Sequence, residues 1–125
     1  MSVKVLVAED DNDIRFALDL LLSMEGYAVV TAADGEQAYK LAQNENPDLI
    51  ITDISMPKLS GVELTRLIRH NEKLADKKVL AISAYGEKPK HEVLAAGANC
   101  FVSKPIDMDR LLPKIAYLAD HQTVQ

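Results

Sequence analysis

Charged and hydroxyl side chains end several of the short apolar runs in this 125-residue chain, namely Glu9, Asp10, Asp53, Ser83 and Lys104. In an open parallel α/β sheet, ligands bind beyond the carboxyl ends of the strands, so these side chains are expected to lie together. Three carboxylates at that edge would repel one another unless a bound cation and the Lys104 ammonium relieved the repulsion. Mg²⁺ prefers a few carboxylates with waters and substrate oxygens, which suits this set better than a Ca²⁺ cage does. The pattern predicts a metal and phosphoryl site.

Each of these residues also has a simpler interpretation. Glu9 and Asp10 begin an acidic run that could be a solvated loop favouring the N-terminus of the next helix. Asp53 could be a helix cap, but the next helix is expected eight residues later, and a carboxylate there is a reasonable nucleophile toward phosphorus. Lys104 could be a surface lysine in a turn rather than a point charge on phosphoryl oxygens. Ser83 could be a strand-end hydroxyl rather than a donor to such oxygens.

The elements that must position these residues alternate between strand and helix five times, which is typical of a parallel sheet covered on both faces. The apolar patterns predict strands at 3–8, 27–31, 48–53, 78–83 and 100–103, and helices at 12–25, 35–45, 61–71, 88–96 and 107–119. Strand 48–53 is apolar nearly throughout and is expected to be central. Gly26 is expected to close the first helix. Asp34 is expected to cap the second, with Gln37 as its capping-box partner.

Two features near the C-terminus qualify this pattern. Pro113 removes a backbone donor in the second turn of the last predicted helix, so this helix either kinks there or starts later. Residues 121–125 are expected to form a frayed tail.

Length and composition are those of one ordinary globular domain, at 48% hydrophobic and 26% charged residues. The net charge of −5 argues against sequence-independent binding to nucleic acid. Cys100 is the only cysteine, which excludes an internal disulfide and favours a reducing compartment, and it is expected to be a small buried residue. The chain shows neither a signal peptide nor an apolar run near the ~20 residues of a membrane span. A cytoplasmic location is therefore expected.

Other phosphate chemistries match the sequence less well. No G-x-x-x-x-G-K-[ST] or G-x-G-x-x-G motif follows the first predicted strand, so the nucleotide-binding loops are absent. An FMN-binding flavodoxin needs hydrogen-bond donors at that place, where this chain has carboxylates. A phosphatase of the haloacid dehalogenase type carries its nucleophile there in an Asp-x-Asp pattern, which Glu9-Asp10-Asp11 does not match well. The best candidate nucleophile follows the third strand instead.

Taken together, the motifs resemble the receiver domain of two-component response regulators, from Val3 to about Ala119. The resemblance rests on Glu9-Asp10, Asp53–Gly61, Ser83-Ala84 and Lys104-Pro105, with further similarity at 33–38 and 95–98. Any one of these motifs is weak, but four at successive strand ends are specific. The resemblance implies a three-layer, flavodoxin-like (βα)5 fold of the α/β class, with a parallel five-stranded sheet of order 2-1-3-4-5.

For the site, the resemblance implies that Asp53 accepts a phosphoryl group from a histidine of a kinase or a phosphotransfer protein. Mg²⁺ would be held by Asp10, Asp53 and the main-chain carbonyl of Ser55, with Glu9 acting through water. The chain would then be a phosphoacceptor that catalyses only its own phosphorylation and slow dephosphorylation, rather than an enzyme acting on another substrate.

The resemblance also implies a switch and a means of tuning hydrolysis. Lys104 and the Ser83 hydroxyl would bind the acyl phosphate, and the aromatic residue on the fifth strand, here Phe101, would turn inward. Phe101 lacks a hydroxyl, so a switch using a tyrosine hydrogen bond is not expected. Ser55 and Tyr85 occupy the positions that flank the attacking water. Neither offers a carboxylate or carboxamide to position that water, although Tyr85 could also be an exposed loop aromatic.

The favoured function is a stand-alone, chemotaxis-regulator-like receiver, without an output domain, that works in phosphorelay signalling. Its downstream protein target is expected to bind the face made by the fourth helix, fifth strand and fifth helix. A monomer or weak dimer is expected, with no nucleic acid or membrane as partner. The alternative is an interaction module with a receiver fold that is never phosphorylated, and a small-molecule phosphatase is more remote. Mg²⁺-dependent phosphorylation of Asp53 by acetyl phosphate would separate the first two.

Overall fold

The computed structural model describes residues 3–120, so the tail expected at 121–125 lies outside the described residues. Within these residues, five strands and five helices alternate. They are β1 (Lys4–Ala8), α1 (Asn12–Met24), β2 (Ala28–Ala32), α2 (Gly35–Glu45), β3 (Leu49–Asp53), α3 (Gly61–His70), β4 (Lys78–Ser83), α4 (Lys90–Ala96), β5 (Cys100–Ser103) and α5 (Met108–Asp120). All strand pairs are parallel, and the order β2-β1-β3-β4-β5 confirms the expected sheet with β3 at its centre.

Alternate residues of the central strands feed two apolar layers, one on each face of the sheet. Val5 and Val7 of β1 pack with α1 and α5, whereas Leu6 and Ala8 pack with α2 and α3. Every residue of β3 is buried, as expected for a strand covered on both faces. Within residues 3–120, no helix is long and apolar enough to span a membrane.

The predicted boundaries agree with the structure to within two residues, and Gly26 follows α1 with a φ of 96°, as predicted. The last helix runs from Met108 through Pro113 to Asp120, so the later start considered for it is wrong. Pro113 and Asp109 both lie on the exposed face of α5, where the carbonyl that loses its intrahelical donor can bind water. Cys100 is half-buried against the core rather than buried.

Hydrogen bonds at the helix starts differ in one detail from the prediction. Asp34 caps α2 by accepting from the Gln37 N–H at 2.8 Å. Gln37 Oε1, however, accepts from the Ala33 N–H and not from Asp34, so the predicted reciprocal pair is shifted by one residue. A complete capping box occurs instead on α3, between Ser60 and Glu63.

Candidate functional site

The three candidate metal-binding acids meet where β1 and β3 end. The strands are neighbours with Ala8 opposite Thr52, so Glu9 and Asp53 leave the sheet side by side. Glu9 is 1% exposed and Asp53 is 4% exposed, while Asp10 faces solvent. Carboxylate oxygens of Glu9, Asp10 and Asp53 all lie within 4.8 Å of one another. The structure therefore brings together the acids that the sequence singled out.

Lys104 provides the positive charge that this cluster needs. Its Nζ lies 3.0 Å from Glu9 Oε1 and 3.1 Å from Asp53 Oδ2. The lysine is placed by the end of β5, where its own N–H donates to the Ser83 carbonyl at 2.7 Å. Burial lowers the pKa of Lys104, but its ion pairs with Glu9 and Asp53 outweigh burial and raise that pKa above the ordinary value. The side chain therefore remains an ammonium at neutral pH.

Glu9 is the member of the cluster whose ionised form the fold disfavours. Burial raises its pKa from 4.5 to about 7, the bond from the Asp11 N–H opposes that shift, and the neighbouring Asp53 adds to it. Glu9 Oε1 is also a buried oxygen without a hydrogen-bond partner in the described chain, although Lys104 Nζ lies at ion-pair distance from it. A buried carboxylate oxygen in this state is stabilised by an additional cation or its bound water.

Backbone contacts fix the segment around Asp53. The Ser55 N–H lies 3.3 Å from Asp53 Oδ1, which places Ser55 directly beside the Asp53 carboxylate. At Gly61, the first residue of α3, a Cβ would lie 2.4 Å from the Asp53 main-chain oxygen. Only glycine lets α3 begin so close to the end of β3. Gly61 belongs to the recognised motif, but sequence reasoning assigned it no role.

Arg15 is a second residue that sequence reasoning missed. Its Nη1 donates to the main-chain carbonyl of Glu9 at 2.8 Å, from one turn into α1. The contact holds the chain where the acidic pair leaves β1. Arginine within a helix is too common for its spacing from Glu9 to have signalled this contact.

The candidate switch residues Ser83 and Phe101 lie on the neighbouring strands β4 and β5. Ser83 is fully buried at the end of β4, and its Oγ accepts from the Tyr85 N–H at 3.0 Å. No hydrogen bond joins Ser83 to Asp53 among residues 3–120. Phe101 is half-buried on β5 and packs against a small apolar cluster that includes Val93 of α4. Tyr85 is 65% exposed.

Two cavities adjoin the cluster formed by Glu9, Asp10, Asp53 and Lys104, which we call the pocket. One of about 590 Å³ opens beside Asp10, between the loop after β3 and the helices α3 and α4. The other, of about 300 Å³, is an apolar groove between α1 and the segment that begins at Lys104. The acidic cluster is thus bordered by an open cavity on one side and by an apolar groove on the other.

Comparison with known proteins gives a consistent result. The family model for the response regulator receiver domain matches residues 5–116. The chain is 33% identical to the polar-differentiation response regulator DivK of Brucella ovis, covering 96% of this chain and 99% of DivK. It is 39% identical to the CAI-1 autoinducer sensor kinase/phosphatase CqsS of Vibrio cholerae, covering 90% of this chain but 17% of that protein. The chain spans 17% to 47% of the length of CqsS, PhoP and the two ycf27 regulators that it matches.

Solved structures agree with these sequence relatives. The chemotaxis response regulator CheY4 of Vibrio cholerae superposes with a TM-score of 0.88 at 31% identity, over 94% of this chain and 99% of CheY4. A CheY-like receiver domain protein from Methanospirillum hungatei superposes with a TM-score of 0.91 at 28% identity, over 98% of this chain and 97% of that chain.

Proposed function

The chain belongs to the family of response regulator receiver domains, and from this premise we propose that Asp53 accepts a phosphoryl group from a histidine of a kinase or phosphotransfer protein. The observation that carries this proposal is the geometry around Asp53. Its carboxylate ends the central strand, is buried, and lies 3.1 Å from the ammonium of Lys104. A nucleophile held in this way loses little further freedom when the donor arrives.

The proposed reaction needs no other nucleophile in the chain. A carboxylate oxygen of Asp53 forms a bond to phosphorus while the phosphorus–nitrogen bond of the donor phosphohistidine breaks. The electron pair of that bond stays on the imidazole, which takes up a proton, and Asp53 becomes an acyl phosphate. Before transfer, Lys104 Nζ lies 3.0 Å from Glu9 and 3.1 Å from Asp53. It is therefore close enough to neutralise charge on the transferred group.

The residues present suit a divalent cation such as Mg²⁺. Glu9 Oε1 is buried and has the Lys104 ammonium at 3.0 Å but accepts no hydrogen bond in residues 3–120, and the acidic oxygens converge within 4.8 Å. We assign Asp10, Asp53 and the main-chain carbonyl of Ser55 as ligands, with Glu9 acting through water. When bound, the ion supplies charge neutralisation and alignment for in-line transfer.

The switch is assigned to Ser83 and Phe101. The Ser83 oxygen accepts from the Tyr85 N–H, so its own hydroxyl proton is available to donate to a phosphoryl oxygen on Asp53. Such a contact would exist only in the phosphorylated state, which is the differential interaction that a two-state switch requires. Phe101 would turn inward as the β4 end moves, changing the face of α4, β5 and α5 that a target protein binds.

A protein donor must dock beside Lys104, and α1 supplies an apolar surface there. The groove of about 300 Å³ is continuous with Lys104, and its wall on α1 is formed by Ile14, Ala17, Leu18 and Leu21, of which Leu21 is 37% exposed. This continuity with the acceptor pocket supports the histidine-bearing donor as its occupant. Leu21→Ser, in the wall of the groove, is expected to slow transfer from a protein donor at least about tenfold, whereas acetyl phosphate, which needs no docking, should react as before. Equal effects on both donors would contradict this docking surface.

The decisive test of the proposed function is phosphorylation itself. Purified protein with acetyl phosphate and Mg²⁺ should gain one phosphoryl group in intact-protein mass spectrometry, and Asp53→Asn should gain none. Asp13→Asn, an exposed acid outside the cluster, is the matched control and should react like the wild type. A wild-type protein that takes no phosphate with Mg²⁺ present would favour the unphosphorylated interaction module instead.

A further inference from the structure

The guanidinium of Arg69, in the last turn of α3, binds four acceptors on other segments. Its Nε donates to the Gly97 carbonyl at 3.0 Å. Its Nη1 donates to the carbonyls of Ala75 and Lys77, at 3.1 and 2.6 Å. Its Nη2 donates to Asn99 Oδ1 at 2.8 Å. Because these bonds come from one charged and planar group, they hold the loop before β4 and the end of α4 in a single geometry.

Gly97 and Asn99 are adapted to this contact. Gly97 has a φ of 118°, and a Cβ there would lie 2.6 Å from Arg69 Cγ, so glycine is needed both for the turn and for the passage of the arginine. Asn99 accepts from the Val79 N–H at 2.9 Å and donates its own N–H to the Val79 carbonyl at 2.8 Å. Arg69 therefore ties the C-terminal end of α4 to the amino ends of β4 and β5.

The other end of α4 has no comparable support. Its N-cap is Pro89, and no side chain accepts from the first free N–H groups of the helix. Residues 84–88, which lead into it, are exposed, and no atom lies within 4 Å of the position of a Cβ at Gly86. Val93 is the buried residue of this short helix. The helix is thus held at one end and lightly attached at the other.

We propose that Arg69 anchors the C-terminal end of α4, so that phosphorylation of Asp53 moves the N-terminal end of this helix about a fixed point at Gly97. The inference rests on the proposed function. Ser83 and Tyr85 lie at the carboxyl ends of the strands, next to Asp53 and the N-terminal end of α4. Arg69 and Asn99 lie at the amino ends of the strands, by Val79. A change at the pocket therefore reaches the end of α4 that is free to move, and Arg69 acts as a positioning residue.

Residue-resolved amide hydrogen exchange by NMR can test this pivot, with and without Mg²⁺ and beryllofluoride, an anion that stands in for the phosphoryl group on Asp53. In the wild type, exchange at 84–93 should change about tenfold on loading, while 97–100 and 77–79 change less than about twofold. In Arg69→Gln the change should spread to 97–103, because the fixed point is lost. Arg69→Lys keeps the charge but loses the planar guanidinium with its several donors. The exchange change in this variant should therefore extend less far than in Arg69→Gln and farther than in the wild type.

Controls separate the possible failures. Arg66→Gln, one turn earlier on the exposed face of α3, should match the wild type. Should Arg69→Gln not fold, Asn99→Ala removes one of the four acceptors and must still spread the change toward 97–103. Equal changes at both ends of α4 in the wild type would overturn the anchor and leave the proposed function standing. No response in a protein that still takes phosphate from acetyl phosphate would also overturn the anchor alone, whereas loss of both would overturn the proposed function.

Discussion

Helices α3 and α4 follow neighbouring strands on the same face of the sheet, but they are attached to the molecule very differently. The first begins with a capping box, in which the Glu63 N–H lies 3.1 Å from Ser60 Oγ and the Ser60 N–H lies 2.9 Å from Glu63 Oε1. It also packs Gly61 against the backbone of Asp53. The second begins at Pro89 without a side-chain cap and buries little more than Val93.

This difference has an energetic meaning. A missing cap costs about 1 kcal/mol, and each buried aliphatic side chain contributes about 1.5–3 kcal/mol. Local opening of α4 should therefore require much less free energy than opening of α3. Asp53 precedes the firmly attached helix, and Ser83 precedes the lightly attached one. The pocket thus has a rigid side at Asp53 and α3 and a mobile side at Ser83 and α4. The proposed function would place chemistry on the rigid side and conformational response on the mobile side.

The largest expected effect comes from removing charge on the rigid side. Asp10→Ala should weaken Mg²⁺ binding and reduce phosphorylation at least about hundredfold, because the proposed metal site would lose a direct ligand. Glu9→Ala should be milder, since a ligand acting through water is more replaceable. Calorimetric Mg²⁺ titration and the rate of acetyl phosphate reaction would measure both. A normal rate of phosphorylation in Asp10→Ala would mean that the metal site is misassigned.

Two glycine substitutions compare the two sides directly. At Gly61 a Cβ would meet the Asp53 oxygen at 2.4 Å and Ile54 Cα at 2.8 Å, and both are backbone atoms. Gly61→Ala should therefore cost about 2–3 kcal/mol of unfolding free energy. At Gly86 nothing lies within 4 Å, and only the φ of 63° is unfavourable, so Gly86→Ala should cost about 1 kcal/mol. Urea denaturation of both variants checks the comparison, and equal costs would contradict it.

The pH dependence of the metal-free protein tests the electrostatics of the rigid side. Glu9 has a pKa of about 7 in the fold against 4.5 for the free side chain, so the folded state favours its protonated form. Its contribution to stability is therefore present below pH 4.5 and is lost as the pH rises through 7. Relative to Glu9→Gln, the wild type should lose about 2 kcal/mol of unfolding free energy between pH 5 and pH 8.

This measurement is made in EDTA, with Glu72→Gln as a matched control at an exposed acid. The control should follow the wild type at both pH values. A wild type and Glu9→Gln that change in parallel would show that burial does not raise the pKa of Glu9.

On the mobile side, removal of the Ser83 hydroxyl should leave the rate of phosphorylation nearly unchanged and reduce the effect of phosphorylation on target binding. Ser83→Ala should be phosphorylated within about threefold of the wild-type rate, while the phosphorylation-dependent gain in affinity for a target protein falls about tenfold. The two effects should separate, because in the proposed switch Ser83 contacts the phosphoryl group only after transfer. Equal affinity changes in wild type and Ser83→Ala would rule out this coupling.

The smallest effect expected concerns the lifetime of the acyl phosphate. In the proposed site Ser55 and Tyr85 would flank the approach of water, and they offer no carboxylate or carboxamide to position it, so decay should be slow. Tyr85→Glu should accelerate decay about threefold to tenfold in Mg²⁺ without a phosphatase. Decay of the wild type within seconds, or no acceleration in the variant, would contradict this assignment. The exposure of Tyr85 makes the substitution tolerable for folding.

Much of the fold followed from the sequence because its patterns are local. Apolar runs and helical spacing predicted all ten elements of residues 3–120 to within two residues, including the fully buried β3. The convergence of Glu9, Asp10, Asp53 and Lys104 was predictable as well, since these residues lie at strand ends and parallel strands end at one edge, whereas their roles stay predictions. The strand order came from the resemblance of the motifs, because alternation alone does not state which strands are neighbours.

Contacts between distant segments could not be predicted in this way. Lys104 is paired with both Glu9 and Asp53, and Arg69 with Gly97 and Asn99, only because the sheet order brings these segments together. The shift of the Gln37 bond to Ala33 has the same origin, since it depends on how the chain enters α2.

The sequence by itself determined the types of the elements and the acids at the strand ends, because side-chain periodicity and strand polarity are properties of the chain. The tertiary structure decided which of these acids is buried. Glu9 and Asp53 continue two paired central strands and are covered on both sides, whereas Asp10 lies one residue farther out and faces solvent. Burial depends on what packs around a residue, so the raised pKa of Glu9 and its pairing with Lys104 exist only in the folded chain.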